Sequence, residues 1–567
     1  MTVTVSNPGL SARTTTGLLD RERIVAGAGF NRWHVPPAAL CIHLCIGMAY
    51  GFSVFWKPLE GALVGADGKA LPSCSAGATT FSEKALGTLR ALTATDCNWS
   101  QFDLGWMYTF FFVMLGVSAA IFGAWLERAG PRKAGLVATL CWCGGLLFSA
   151  LGIHLHQLWM LWLGSGIIGG IGLGLGYISP VSTLIKWFPD RRGMATGMAI
   201  MGFGGGAMLG SPLGTLLMNT FKTNSDPGVA ATFVAMAAIY VIFMLMGTFG
   251  YRVPPNGWKP EGWTPPATTN AMITSKHVHL NNAHKTPQFW LLWLMLCMNV
   301  SATIGIIGAA SPMLQETFGG LLVGEPGVGY SEMMTNGALA SAAAAVAAGF
   351  VGLISLFNIF GRFAWASGSD LLGRKYTYFL FFVSGIALYL LAAFAAEGKW
   401  LAVFVLAFCV IASTYGGGFS TIPAYLADIF GTQFVGAIHG RLLTAWSTAG
   451  VLGPVIVNYL HDTRAAAGVP PDQIYGAIFY ILAGLLVIGF IANLLVRPVN
   501  PKWHMSDKDV AAERAKLSQS PSATTATGSF GIGKGGLDAK GALLWMLVGV
   551  PLAWGIWNTF VKTLTLF

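Results

Sequence analysis

Thirteen apolar stretches, each about 20 residues or longer, recur along this chain and limit what it can fold into. They run roughly over 34–56, 104–126, 134–153, 158–181, 194–218, 230–250, 288–312, 340–368, 376–396, 400–424, 434–459, 475–496 and 541–561. A helix rises about 1.5 Å per residue, so each run can cross the ~30 Å hydrocarbon core of a bilayer. In lipid every backbone N–H and C=O must be satisfied within the protein, which makes helices of these runs. Composition agrees: 54% of residues are hydrophobic and only 10% are charged, against about 25% charged in soluble domains. The sequence predicts an all-α membrane protein.

The loops carry the orientation. Arg128, Arg132 and Lys133 follow the second run, Lys186, Arg191 and Arg192 the fourth, and Arg374 and Lys375 the eighth. Basic residues collect on the cytoplasmic side, so these exits face the cytoplasm and the N-terminus lies inside. The net charge of +10 therefore reads as membrane orientation and not as nucleic-acid binding. Residues 1–33 are polar and Ser/Thr-rich, the pattern of a cytoplasmic tail and not of a cleavable leader. Residues 251–287 form a polar cytoplasmic linker between two sets of six runs, 34–250 and 288–496. A second polar linker, 497–540, precedes the thirteenth run. His277, His279 and His284 in the first linker have no metal-ligand spacing. Cys74 and Cys97 are the two cysteines in a polar loop. That loop falls on the outer side, where they can pair as a disulfide; in a reducing compartment they stay free thiols.

The two sets repeat one another. Gly123-Ala-Trp-Leu-Glu127-Arg128-Ala-Gly130-Pro-Arg132-Lys133 follows the second run. Ser369-Asp370-Leu-Leu-Gly373-Arg374-Lys375 follows the equivalent run of the second set. Internal repeats of this kind mark secondary transporters, with the binding site between the halves near the bilayer midplane. The first stretch resembles the loop between helices two and three of the major facilitator superfamily. Further stretches resemble the oxalate/formate antiporter group within it: Asn31-Arg32-Trp33, Gly176-Tyr177-Ile-Ser-Pro180, Lys186-Trp-Phe-Pro-Asp-Arg-Arg-Gly193, Asn358-Ile-Phe-Gly-Arg362 and Pro423-Ala-Tyr-Leu-Ala-Asp428. The resemblance implies a major facilitator fold of two six-helix halves, here with one extra C-terminal helix. It also implies a gate latch made by Glu127, Arg128 and Arg132, with Asp370 and Arg374 as a weaker second copy.

Arg362 is the residue most in need of explanation. A charge at membrane depth costs at least ~2.5–3.5 kcal/mol on the lenient insertion scale. The guanidinium fork matches a carboxylate with two parallel hydrogen bonds and stays charged at any working pH. Asn358, one helical turn earlier, shares its face and can orient it. The resemblance makes Arg362 the substrate-binding cation. It also implies a lysine on the eleventh helix, but here the stretch reads Thr444-Ala-Trp446-Ser-Thr-Ala449. Trp446 in place of a second cation leaves one charge of a dianion without a fixed partner and fits a monocarboxylate better. Lys57, His439 and Arg441 are nearby basic alternatives. Tyr50, Tyr177 and Tyr415 each bring a hydroxyl beside an apolar face and complete the expected pocket. His43, deep in the first run, is either a proton site or a packed core histidine.

Carboxylates stay at run ends: Glu60, Asp103, Glu127, Asp370 and Asp428. Proton-coupled carriers use an embedded ionisable residue as a relay, so the pattern favours anion exchange. The expectation is a monomeric exchanger of small organic anions in the inner membrane, without cofactor or metal and not an enzyme. A proton-coupled monocarboxylate symporter and a non-transporting anion sensor are the alternatives.

Overall fold

The computed structural model describes residues 17–518 and 538–563, apart from residues 28, 66–69, 79, 224–225, 256–257 and 265–271. Among the described residues it is helical, with isolated β-bridges and no strand. Thirteen segments are long and apolar enough to cross a membrane. They are α1 (Arg32–Phe52), α2 (Phe102–Ala129), α3 (Pro131–His154), α4 (Leu158–Trp187), α5 (Arg192–Phe221) and α6 (Val229–Gly250). The second half comprises α7 (Pro287–Val323), α8 (Gly349–Leu372), α9 (Arg374–Glu397), α10 (Leu401–Phe430), α11 (Val435–Ala465) and α12 (Pro471–Leu495), followed by α13 (Ala539–Trp557).

Local chemistry sets the ends. Ser100 and Asp103 form a capping box that opens α2, and Thr286 with Pro287 opens α7. Gly130 and Gly373 sit at φ +85° and +84° between α2 and α3 and between α8 and α9. These are the glycines of the repeated acid-x-x-Gly pattern. Glycine takes that backbone region without Cβ strain, so each repeat encodes a sharp helix-to-helix turn. The final part of α1, Gly47–Phe55, tightens to a 3-10 helix and carries Tyr50.

The halves meet where α2 packs on α11 and α5 packs on α8. These contacts are backbone-close. A Cβ on Gly123 would come 2.9 Å from Ala437 Cα, and one on Gly197 would come 2.8 Å from the Arg362 carbonyl oxygen. Two rows of glycines spaced by four residues lie elsewhere. Gly166, Gly170 and Gly174 seat α4 on α2, and Gly206, Gly210 and Gly214 seat α5 on α1. Both rows pack within the first half and do not form the surface between halves.

At the end of the bundle where α2 turns into α3, Arg32 pairs with both carboxylate oxygens of Asp190 at 2.7 and 2.9 Å. It also stacks 4.5 Å from the Phe188 ring. This ties the Asn31-Arg32-Trp33 stretch to the α4–α5 loop. At the opposite end Cys74 and Cys97 are joined, with Cα atoms 5.1 Å apart. Helix α13 packs on α1, α5 and α8, so it touches both halves. Its start is fastened to α1 by His34 Nε2 and Asp538 Oδ1, 2.7 Å apart.

Candidate functional site

Arg362 lies on α8, fully buried against the first half. Its Nε donates to Asn358 Oδ1 at 2.9 Å, and Nη1 reaches the Ile200 carbonyl at 3.4 Å. Nη2 has no hydrogen-bond partner among the described residues. The guanidinium carbon is 5.6 Å from the centre of the Phe203 ring and 5.5 Å from that of Phe419. The expected i, i+4 pair is formed: Asn358 takes Nε, Ile200 takes Nη1, and Nη2 alone is left unbonded among the described residues.

Trp446 closes the opposite wall. Its ring lies 4.2 Å from Phe419, 5.4 Å from both Phe203 and Tyr177, 5.6 Å from Phe112 and 6.4 Å from Tyr50. The Tyr50 and Tyr415 hydroxyls are 3.1 Å apart. All six residues expected at the site therefore lie in one buried cluster where the halves meet, the candidate chamber. Phe112, Phe203 and Phe419 also wall it, and sequence reading missed them. Among many phenylalanines in apolar runs, periodicity does not separate a chamber wall from ordinary core.

Three unbonded polar atoms of this cluster can all donate. Arg362 Nη2, Trp446 Nε1 and the Tyr177 hydroxyl are all buried without a partner among the described residues. The first two are donors only, and the third can donate. Buried polar groups are nearly always satisfied, so a set of unmet donors points to a guest that accepts. A carboxylate, with about four lone-pair sites and no donor, has that chemistry.

His43 sits behind the chamber on α1. Its Nδ1 contacts the Ala199 carbonyl, and its Nε2 lies 3.2 Å from the Tyr177 carbonyl. A neutral imidazole has one N–H and can satisfy only one of these acceptors; an imidazolium satisfies both. Of the other basic candidates, Arg441 bonds the Leu280 carbonyl and His284 Nδ1 away from the chamber. The Lys57 side chain lies outside the described residues.

The gate residues need correction. Glu127 is paired, but with Lys186 Nζ at 2.7 Å and Ser182 Oγ at 3.2 Å, both from α4. Its Oε1 also lies against Gly436 at the start of α11. Arg128 is exposed and reaches the Ala124 carbonyl at 3.4 Å. Arg132 donates to the carbonyls of Leu18, Phe249 and Tyr251. The turn at Gly130 carries Arg132 onto α3, which packs on α6 and faces away from the α2 acid. The second copy makes the more extensive set of contacts between the halves. Asp370 accepts from the backbone N–H groups of Gly193 and Met194 at 2.8 and 2.9 Å, the first turn of α5, and pairs with Arg374. A carboxylate there meets both free N–H groups and the positive end of the helix dipole. Asp428, from α10, joins Arg374 at 3.2 Å to Arg192 of the first half at 2.9 Å. Lys186, Arg192 and Asp428 were within reach of sequence reading, because all three stand in the quoted stretches.

A family model described as the Major Facilitator Superfamily matches residues 73–454 and 327–567. The oxalate:formate antiporter of Oxalobacter formigenes is 27% identical over 332 residues, covering 58% of this chain and 69% of that protein. The apicoplast pyruvate carrier 1 of Toxoplasma gondii is 25% identical over 388 residues, covering 60% of this chain and 66% of that one. Among solved structures, the E. coli fucose:proton symporter superposes with a TM-score of 0.53 at 13% identity, over 82% of this chain and 100% of that chain. The human organic anion transporter MFSD10 gives 0.51 at 16% identity, over 82% and 99%. These two likenesses concern the fold. Two six-helix halves, a repeated acid-x-x-Gly turn at one end and a family match across most of the length agree: the chain belongs to the Major Facilitator Superfamily.

Proposed function

We propose that this protein carries small carboxylates across the inner membrane by alternating access, and that it works as an anion exchanger. The observation that carries the reading is the buried Arg362, oriented by Asn358 and left with Nη2 unbonded in a chamber whose unmet groups are donors. Two relatives, an oxalate:formate antiporter and a pyruvate carrier, are named for small carboxylates, which supports the substrate class. Basic residues at the latched end support placing that end, and the N-terminus, in the cytoplasm. The conformation then has its cytoplasmic gate shut by Asp370, Asp428 and Glu127.

The exchange mode follows from charge. An empty chamber holds an uncompensated cation, and moving it through a closed, dry state is costly. A bound carboxylate neutralises it and lets the halves rock. Counterflow of labelled oxalate, formate and lactate in proteoliposomes tests this. Uptake should require anion inside, and Arg362→Ala should abolish it.

One observation favours a second reading. His43 is a buried titratable group held between the Ala199 and Tyr177 carbonyls, which would suit a proton-coupled monocarboxylate symporter. Uptake driven by an imposed pH gradient into liposomes without internal anion separates the two.

A further inference from the structure

One buried side chain is left unused by the chamber. His439 on α11 is 1% exposed, and neither ring nitrogen has a hydrogen-bond partner among the described residues. Apolar packing accounts for a leucine or phenylalanine at such a place, not for an imidazole with both polar atoms unmet. The ring lies 6.0 Å from that of Tyr177, whose hydroxyl is also unmet. Three residues before it, Gly436 abuts Glu127 Oε1 and the Ser182 side chain. Trp446 follows it by seven residues, roughly 10 Å along the helix. His439 therefore stands between the Trp446–Arg362 chamber and the latched end, with Tyr177 shared by both levels.

We propose that His439 and Tyr177 form a second carboxylate station on the path from Arg362 to the Glu127–Lys186 end. The proposal rests on the carrier reading above. As the latch opens, the anion exchanges its Arg362 hydrogen bonds for an imidazole N–H and a phenolic O–H before it reaches water. Without that station the anion would give up its Arg362 hydrogen bonds with no protein donor between the two levels. The ligand class is a small carboxylate, and the predicted effect of His439 is on passage and not on capture at Arg362.

The test uses the full-length protein in two measurements. One is counterflow of labelled oxalate, formate and lactate in proteoliposomes; the other is the thermal shift that each anion produces in detergent. His439→Leu is expected to slow counterflow about tenfold or more, the loss expected from one hydrogen bond in a rate-limiting passage. The anion concentration giving half the thermal shift should stay within about twofold, since Arg362 is intact. His439→Gln, which restores an N–H near the Nε2 position, should recover most of the rate. Wild-type counterflow in His439→Leu overturns the station. So does loss of both rate and thermal shift in His439→Leu and His439→Gln alike, which would make the residue a packing element. Arg362→Ala separates the levels. If it is inactive while His439→Leu exchanges normally, the station alone falls; if it exchanges normally, the carrier site itself falls.

Discussion

The hydroxyls of Tyr50 and Tyr415 lie 3.1 Å apart, a contact that joins α1 of the first half to α10 of the second beside Trp446. Alternating access requires such a contact to break and re-form. A net hydrogen bond contributes about 0.5–1.5 kcal/mol. Tyr50→Phe and Tyr415→Phe should each cost about that much in thermal stability, and the double variant should cost little more than either alone. A double-mutant cycle measures it. Additive costs would show that the two hydroxyls are not coupled.

Trp446 occupies the wall where the resembling family carries a lysine. Its ring fills the space beside Phe419 and Phe203, so a dianion has Arg362 as the chamber's fixed cation. Trp446→Lys should raise oxalate counterflow relative to formate by about tenfold or more, the effect of ~1.4 kcal/mol from a second cation near the substrate. Competition between the two labelled anions checks the ratio. An unchanged ratio would mean that the ring does not set the charge preference.

Asp428 holds two arginines, Arg374 at 3.2 Å and Arg192 at 2.9 Å, one from each half. Removing one partner of a buried pair leaves uncompensated charge and costs about 3–5 kcal/mol. Asp428→Asn should loosen the latched end and lower the melting temperature. Spin labels on the α5 and α8 ends should move apart there. Unaltered distances would show that Glu127 and Asp370 suffice to keep the end closed.

The docking of α13 should depend on pH. The His34 ring, with the Gly541 N–H, holds the Asp538 carboxyl below its usual range. A lowered carboxyl value in the folded state stabilises above the ordinary value near ~3.9 and loses that contribution as pH falls through the folded one. The melting difference between the full chain and a chain ending at residue 518 should therefore shrink as the pH falls below about 4. Asp538→Asn should show the smaller difference throughout. A pH-independent difference would put the docking on apolar packing alone, through Leu552 and Val548.

Much of this was legible because each feature has one dominant cause. Lipid leaves a 20-residue apolar run only one backbone form, so the spanning helices could be read directly. Arg362 and Asn358 are neighbours by helix periodicity, and the structure brings them to 2.9 Å. The phenylalanine walls could not be read, because Phe203 and Phe419 look like any apolar residue until two distant helices meet. The gate was legible only in part, for a related reason. The partners of Asp370 are backbone N–H groups of α5, and sequence does not show where a helix start lies in space. His439 was one basic residue among several near a helix end; only its lack of any partner sets it apart.

The central claim is that Arg362 binds the carried carboxylate, and substrate-dependent counterflow tests it most directly. Wild-type protein in liposomes loaded with unlabelled oxalate, formate or lactate should accumulate at least one of the labelled anions. Arg362→Ala should accumulate none, and Arg362→Lys, which keeps charge but not the bidentate fork, should work at least about tenfold more slowly. Full counterflow in Arg362→Ala would contradict the account.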